Sequence, residues 1–151
     1  MSLNPKDEAL YRLELARGHL ERARKALALS DFADTMGEAQ LSVENSAKTV
    51  ISCFQIPSWS HDPSEELLDV VKSNQLRIIE LLGEEFLGRL KELAEEVHVI
   101  APEHGGSTYE DVERRLPPWR IYSEEDARKG LDYAEDSYKI AESFVKAWYA
   151  S

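Results

Sequence analysis

The chain has little of several residue types that mark particular protein classes. It has one cysteine, Cys53, so no disulfide can form within it, and a reducing compartment is expected. Its longest stretch without a charged residue, 49–61, contains serines, a glutamine and a proline, far short of the roughly 18 apolar residues of a membrane span. No signal peptide is visible at the N-terminus. We therefore expect a cytoplasmic protein with no membrane segment.

Positive charge is also scarce, since 18 lysines and arginines face 29 acidic residues. The net charge is −11, of which residues 61–151 carry −10. A chain this acidic has no general attraction for nucleic acid, whose binding depends on neutralising phosphates. Contact with RNA or a nucleotide would need a local basic patch. Arg114 and Arg115 are one candidate and the basic residues in 17–25 are another, although each set can equally be solvated surface.

Strand signals are absent, and the apolar residues recur at helical spacing along most of the chain. We predict an all-α protein, with long helices over about 9–27, 32–55, 76–98 and 123–148. A shorter helix begins after Asp62, and Gly83 and Gly88 lower the propensity of the third long helix without ending it. This pattern predicts an antiparallel up-down four-helix bundle with an extra short helix and a long loop before the last helix. We expect one domain over residues 1–151.

The second long helix carries an acid and a base beside its apolar stripe. Glu44 precedes Lys48 by four residues, the favourable order for an ion pair on a helix. One interpretation is a half-solvated pair on the flank of a core helix. The other is a pair at the wall of a functional groove.

The aperiodic segment 99–122 is long for a bundle loop, and long loops often carry function. His98 lies just before it, and His104 lies within it together with Tyr109, Arg114 and Arg115. Residues 107–110 fit a capping box that would start a short helix. Structural explanations stay open for both histidines, because His98 would suit a helix C-terminus and His104 precedes two glycines.

Other catalytic and cofactor patterns are incomplete. Glu95 and His98 form one Glu-x-x-His motif, whereas di-iron bundles need two such motifs and two further glutamates. Cys53 has no histidine beside it in sequence, and the His104-Gly-Gly-Ser segment lacks the lysine of a phosphate-binding loop. We predict no metal and no cofactor.

The helix pattern resembles the HEPN family of prokaryotic helical-bundle domains. Ala39-Gln40 followed by Val43-Glu44 and Lys48 resembles the A-Q-x-A-x-E-x-x-x-K core of that family. The run from Arg17 to Ala26 is similar to its opening helix, and Trp59-Ser60-His61-Asp62 before two leucines resembles its entry to the third helix. Residues 116–127, Leu-Pro-Pro-Trp through Tyr122 to Ala127, resemble its lead into the closing helix.

This resemblance implies a helical bundle that usually dimerises, with a functional groove at the dimer interface. Active members are metal-independent RNases that carry an arginine shortly before a histidine near the end of the penultimate long helix. In this chain His104 stands at the histidine position and His98 where the arginine is expected; the nearest upstream arginine, Arg89, is too distant. The motif is therefore degenerate.

Two main hypotheses follow from the sequence. The first is a non-catalytic homodimeric binding module, partnered with a nucleotidyltransferase as in the toxin–antitoxin pairs of this family, in which Glu44 and Lys48 order the groove. The second is an RNase that uses His98 and His104, with Arg114 or Arg115 on the phosphate. A third, weaker possibility is a nucleotide or small-ligand pocket lined by aromatic residues of the irregular segments: Trp59, Tyr109, Trp119 and Tyr122.

Overall fold

The first two helices form a hairpin in the computed structural model, which describes residues 4–107 and 111–150. Helix α1 spans Pro5–Ala28, and the Asn4 side chain caps it by accepting from the Lys6 amide. Helix α2 spans Phe32–Ser52 and starts where the Asp31 carboxylate accepts from the Asp34 amide. So short a connection makes the two helices antiparallel neighbours, as predicted. The predicted extension of α2 to Gln55 is wrong, because the helix ends three residues earlier.

The next part of the chain folds into α3 (Ser64–Ser73), α4 (Gln75–Leu82) and α5 (Glu84–Ile100). The prediction of one continuous helix over 76–98 is therefore wrong at Gly83. That residue has φ +93°, a conformation that glycine adopts without strain and that ends a helix. Gly88 lies within α5, so the expectation that it does not interrupt the helix is confirmed.

The predicted long loop before the last helix has local structure of its own. It contains the one-turn helices α6 (Glu103–Gly106) and α7 (Pro118–Ile121), and Asp111 and Leu116 exchange backbone hydrogen bonds at 2.8 and 3.0 Å across a tight turn. Three residues of the predicted capping box at 107–110 lie outside the described residues. Helix α8 (Glu124–Ala150) closes the bundle, and Ser123 and Asp126 cap it reciprocally.

The four longest helices, α1, α2, α5 and α8, make the bundle, and α2 lies at its centre. Helix α2 packs against α1, α8, α5 and α3, and every residue from Ser42 to Ser52 is buried. The small residues of the α1 seam, Ala9, Ala16 and Ala23, are fully buried, which lets α2 approach closely. The predicted all-α bundle is confirmed.

Within residues 4–107 and 111–150, no helix is both long and apolar enough to cross a membrane.

Candidate functional site

Three polar residues of α2 form a buried network. The Glu44 carboxylate accepts hydrogen bonds from Lys48 Nζ at 3.1 Å and from Gln40 Nε2 at 3.0 Å. The side chains of Glu44 and Lys48 are only 7% and 6% exposed. The first interpretation of this pair, a half-solvated flank, is therefore wrong. Every residue from Ser42 to Ser52 is buried, so Glu44 and Lys48 are satisfied by each other and by segments that pack on this half of α2.

Two histidines from distant parts of the chain meet at this network. His61, in the loop before α3, places Nδ1 2.9 Å from Glu44 Oε1. His104, in α6, places Nδ1 3.1 Å from Gln40 Oε1. The two imidazole rings stack with their centroids 3.8 Å apart and their planes at 20°. This histidine stack, His61 with His104, brings the loop after α2 and the segment after α5 together above α2.

The hydrogen bonds assign the ring protons. An ionised carboxylate accepts only, so His61 Nδ1 must carry the proton that it shares with Glu44. Gln40 gives its NH2 group to Glu44, so its oxygen faces His104, whose Nδ1 must also donate. In a neutral ring a proton on Nδ1 means that Nε2 carries none. The network thus fixes both rings in the tautomer with the proton on Nδ1.

The charge state of Glu44 is stabilised by its partners. Burial by itself would raise its pKa, but the hydrogen bond from His61, the charge of Lys48 and the hydrogen bond from Gln40 together hold the pKa below its ordinary value. Glu44 is therefore ionised at neutral pH and remains an acceptor for its neighbours.

His98 reaches the same region by a different contact. Its Nδ1 lies 2.9 Å from Asp62 Oδ2, and Asp62 directly follows His61. Hydrogen bonds from Ser64 and His98 outweigh partial burial and lower the pKa of Asp62. The side chain of His98 is 74% exposed, so the structure places it at the rim beside the stack and not within it.

A second contact fixes α6, the short helix that carries His104. The Tyr122 hydroxyl donates to the Glu103 carboxylate, and a side chain at Gly106 would overlap that hydroxyl. Gly106 therefore permits close packing of α6 against Tyr122, whereas Gly105 faces open space. This contact ties the lead into α8 to the segment that presents His104.

The remaining site residues proposed from sequence lie away from the histidine stack or outside the residues that the structure describes. Arg114 and Arg115 belong to the exposed turn between Asp111 and Leu116; Arg114 faces Asp111 at 3.9 Å, and no described contact joins either arginine to the histidine stack. Tyr109 lies outside the described residues. Of the proposed aromatic pocket, Trp59 and Trp119 are 97% and 72% exposed.

Sequence reasoning did not single out His61 as a functional residue. It appears in the Trp59–Asp62 motif that contributed to the family resemblance, but as a fold signal only. The shorter helix predicted after Asp62 begins at Ser64, and Asp62 Oδ1 accepts from the Ser64 amide at 3.2 Å. Within the described part of the chain, no group of three or more His, Cys, Asp or Glu side chains is arranged to hold a metal ion.

The all-α helical bundle agrees with the fold that the sequence resemblance implies. The HEPN domain model matches residues 9–149, and the chain belongs to the HEPN family. No curated protein matches the sequence. Among solved structures, TT1696 from Thermus thermophilus is similar: the match covers 90% of this chain and 97% of that chain, with 24% identity and a TM-score of 0.70. At this identity the likeness shows the fold alone.

Proposed function

We propose that this HEPN domain cleaves RNA without a metal, with His61 and His104 as the acid–base pair. The observation that supports the proposal is the histidine stack, in which two imidazoles lie side by side, one bonded to the buried Glu44 carboxylate and the other to Gln40. Sequence reasoning placed the chemistry on His98 and His104 and favoured a domain without activity. The histidine stack favours the RNase hypothesis, with His61 in place of His98 as the partner of His104 in acid–base catalysis.

The reaction requires only proton transfers. One imidazole removes the proton from a ribose 2′-hydroxyl, whose oxygen forms a bond to the adjacent phosphorus. The bond from phosphorus to the 5′-oxygen breaks, and the second imidazole gives that oxygen a proton. The products are a 2′,3′-cyclic phosphate and a 5′-hydroxyl. A positioned general acid and a positioned general base each increase the rate of such a step by roughly 10²–10⁴-fold.

His98 is proposed to assist at the rim of the site, where it would contact a phosphate when protonated. It replaces the arginine that active members carry, and a histidine is a weaker phosphate ligand because its charge depends on pH. Arg114 and Arg115 remain candidates for a phosphate contact made by their exposed turn. The weaker phosphate binding predicts a slow enzyme.

An RNA oligonucleotide assay in the presence of EDTA tests this function. We expect cleavage by the native chain and a loss of about 10²-fold or more in both His61→Ala and His104→Ala, at the magnitude of lost general acid or base catalysis. His19→Ala is the matched control, since that histidine bonds to Glu38 at 2.6 Å and not to the network. A substrate with 2′-deoxyribose at the scissile position should be inert, because the nucleophile is then missing.

Absence of cleavage in the native chain, or equal loss in all three histidine variants, would contradict the proposal. In that case the second candidate, a non-catalytic binding module, takes its place. One observation favours it: apolar residues close to the histidines in sequence are exposed, with Ile56 at 68% and Trp59 at 97% before His61, and Val99 at 57% after His98. Such a rim is typical of a surface that another protein covers.

HEPN domains commonly dimerise, and we propose that a second copy covers this rim. Sedimentation at micromolar concentration should show a dimer, and Trp59→Ser should shift it to monomer with no loss of helix content, because Trp59 makes little contact within the chain. Trp119→Ser, a second exposed tryptophan on α7, is the control. A native monomer, or equal effects of the two variants, would contradict this dimer.

A nucleotidyltransferase, as in the toxin–antitoxin pairs of the family, is the heterologous partner we propose. A gene for such an enzyme beside this one, and co-elution of the two co-expressed chains, would support this partner. Separate elution of the two chains would contradict it.

A further inference from the structure

A cavity of about 330 Å³ lies between the end of α5, the one-turn helices and the start of α8. Its size falls at the lower end of the range for small-ligand sites. The residues that matter for its chemistry are Met36, Ile100, Glu103, Asp126, Lys129 and Tyr133. Of the four aromatic residues that the sequence suggested for a ligand pocket, Tyr122 lines this cavity, whereas Trp59 and Trp119 do not.

The walls of the cavity are largely apolar, with Met36, Ile100 and Tyr133 contributing side chains from three different helices. Gly130 keeps α8 close to α2, because a Cβ at that position would stand 2.8 Å from the Met36 sulfur. A ligand with a compact apolar or aromatic body would therefore contact side chains from several directions.

The charges at the cavity are mainly negative. Glu103 and Asp126 contribute two carboxylates, and Lys129 contributes one ammonium group. The Tyr122 hydroxyl already donates to Glu103, and the Ser123 amide donates to Asp126 at 3.0 Å. Burial and the neighbouring Glu103 raise the pKa of Tyr122, so this residue stays a neutral donor and fixes the carboxylate in place. A phosphate would face two fixed carboxylates, whereas a cation would be attracted.

We propose that this cavity binds a small amphipathic organic cation, with an amine on an aromatic or branched apolar body. The amine lies against Glu103 and Asp126, and the apolar body lies among Met36, Ile100 and Tyr133. The chemistry is opposite to that of a nucleotide site. The proposed contacts involve neither His61 nor His104, although Glu103 lies in the same one-turn helix as His104.

Two probes with the same ring system and opposite charge test the charge preference. Tryptamine is the cation and indole-3-acetate is the anion, and binding to the native chain is measured by isothermal titration calorimetry. We expect tryptamine to bind at least about 10-fold more tightly, a difference of roughly 1.4 kcal/mol, because only the cation makes a charge-assisted contact with the carboxylates. In ¹H–¹⁵N spectra the largest shifts should fall on residues 129–133.

Two variants with opposite expected effects on tryptamine affinity test which charged residues line the site. Glu103→Gln should weaken tryptamine binding about 10-fold, yet the amide oxygen can still accept from Tyr122. Lys129→Gln removes the opposing ammonium group and should tighten binding. Glu95→Gln makes the same charge change on the exposed face of α5 and should leave affinity unchanged, which separates a local effect from the overall acidity of the chain.

The proposal is overturned if tryptamine and indole-3-acetate bind equally, or if neither binds at millimolar concentration. It is also overturned if Glu95→Gln weakens binding as much as Glu103→Gln, or if Lys129→Gln weakens it. Should Glu103→Gln not fold, the probe comparison and Lys129→Gln still decide the question.

Discussion

Removal of one member of the buried ion pair should show how strongly the network depends on charge compensation. In Lys48→Met the apolar stem of the side chain is kept and the ammonium group is lost. Glu44 then stays buried, at 7% exposure, without its cation. Breaking a buried pair from one side costs about 3–5 kcal/mol. Hydrogen bonds from Gln40 and His61 remain, so we expect a loss of about 3 kcal/mol, at the lower end of that range.

Urea unfolding followed by circular dichroism measures this loss directly. The matched control is Arg128→Met, which breaks an i, i+4 pair with Glu124 whose side chains are 62% and 59% exposed. Exposed pairs of this kind contribute about 0.3–0.5 kcal/mol. The double variant Glu44→Gln/Lys48→Met should recover much of the stability, because no buried charge is then left unpaired. A Lys48→Met loss no larger than that of Arg128→Met would refute this account of the network.

The same pair predicts a pH dependence. The pKa of Glu44 is held below its ordinary value, so the folded state favours the ionised form. Its contribution to stability is fully present above the unfolded pKa, about 4.3, and is lost as the pH falls through the folded pKa. The difference in unfolding free energy between the native chain and Glu44→Gln should therefore shrink below about pH 4.

Three further predictions concern other parts of the molecule. Burial and the neighbouring Asp136 raise the pKa of Glu96 to about 9, so the folded state favours the protonated form of this side chain. The folded state therefore loses stability as the pH rises from the unfolded pKa towards the folded pKa. Glu96→Gln should raise the melting temperature more at about pH 8 than at about pH 5. Gly83→Ala should destabilise the fold by about 1 kcal/mol in urea unfolding because of its positive φ, whereas Gly88→Ala, inside α5 with open space, should stabilise it by about 0.5–1 kcal/mol. Moderate salt should speed any RNA cleavage, since it screens the repulsion between RNA and a chain of net charge −11; a rate that falls steeply with salt would indicate a basic groove instead.

Helical periodicity was enough to predict the bundle, because the apolar residues of α1, α2 and α8 repeat over many turns. It failed at Gly83, since the apolar spacing continues through the break and only the backbone conformation ends α4. It also gave no account of α6 and α7, which are one turn long and too short to show a period.

The candidate site was only partly predictable, because some of its residues are neighbours on one helix and others are brought together only by tertiary packing. Gln40, Glu44 and Lys48 share one face of a helix, so their proximity follows from spacing alone. His61 and His104 are joined to that face by tertiary packing of two irregular segments, which no local pattern encodes. The pairing of His98 with Asp62 likewise depends on where the end of α5 meets the loop before α3.

The composition of α2 favours a functional reason for the network. Several polar residues of this buried helix are satisfied by backbone carbonyls: Ser42 donates to Ala16, Thr49 to Asn45 and Ser52 to Lys48. Glu44 differs, because it is charged and its partners are side chains: Gln40, Lys48 and the loop residue His61. Well-packed apolar residues in place of a buried ion pair are often neutral or stabilising, so stability alone is a weak reason to keep it. What an apolar pair could not do is hold His61 in a single tautomer against His104, and that requirement links the helix at the centre of the fold to the chemistry proposed at its surface.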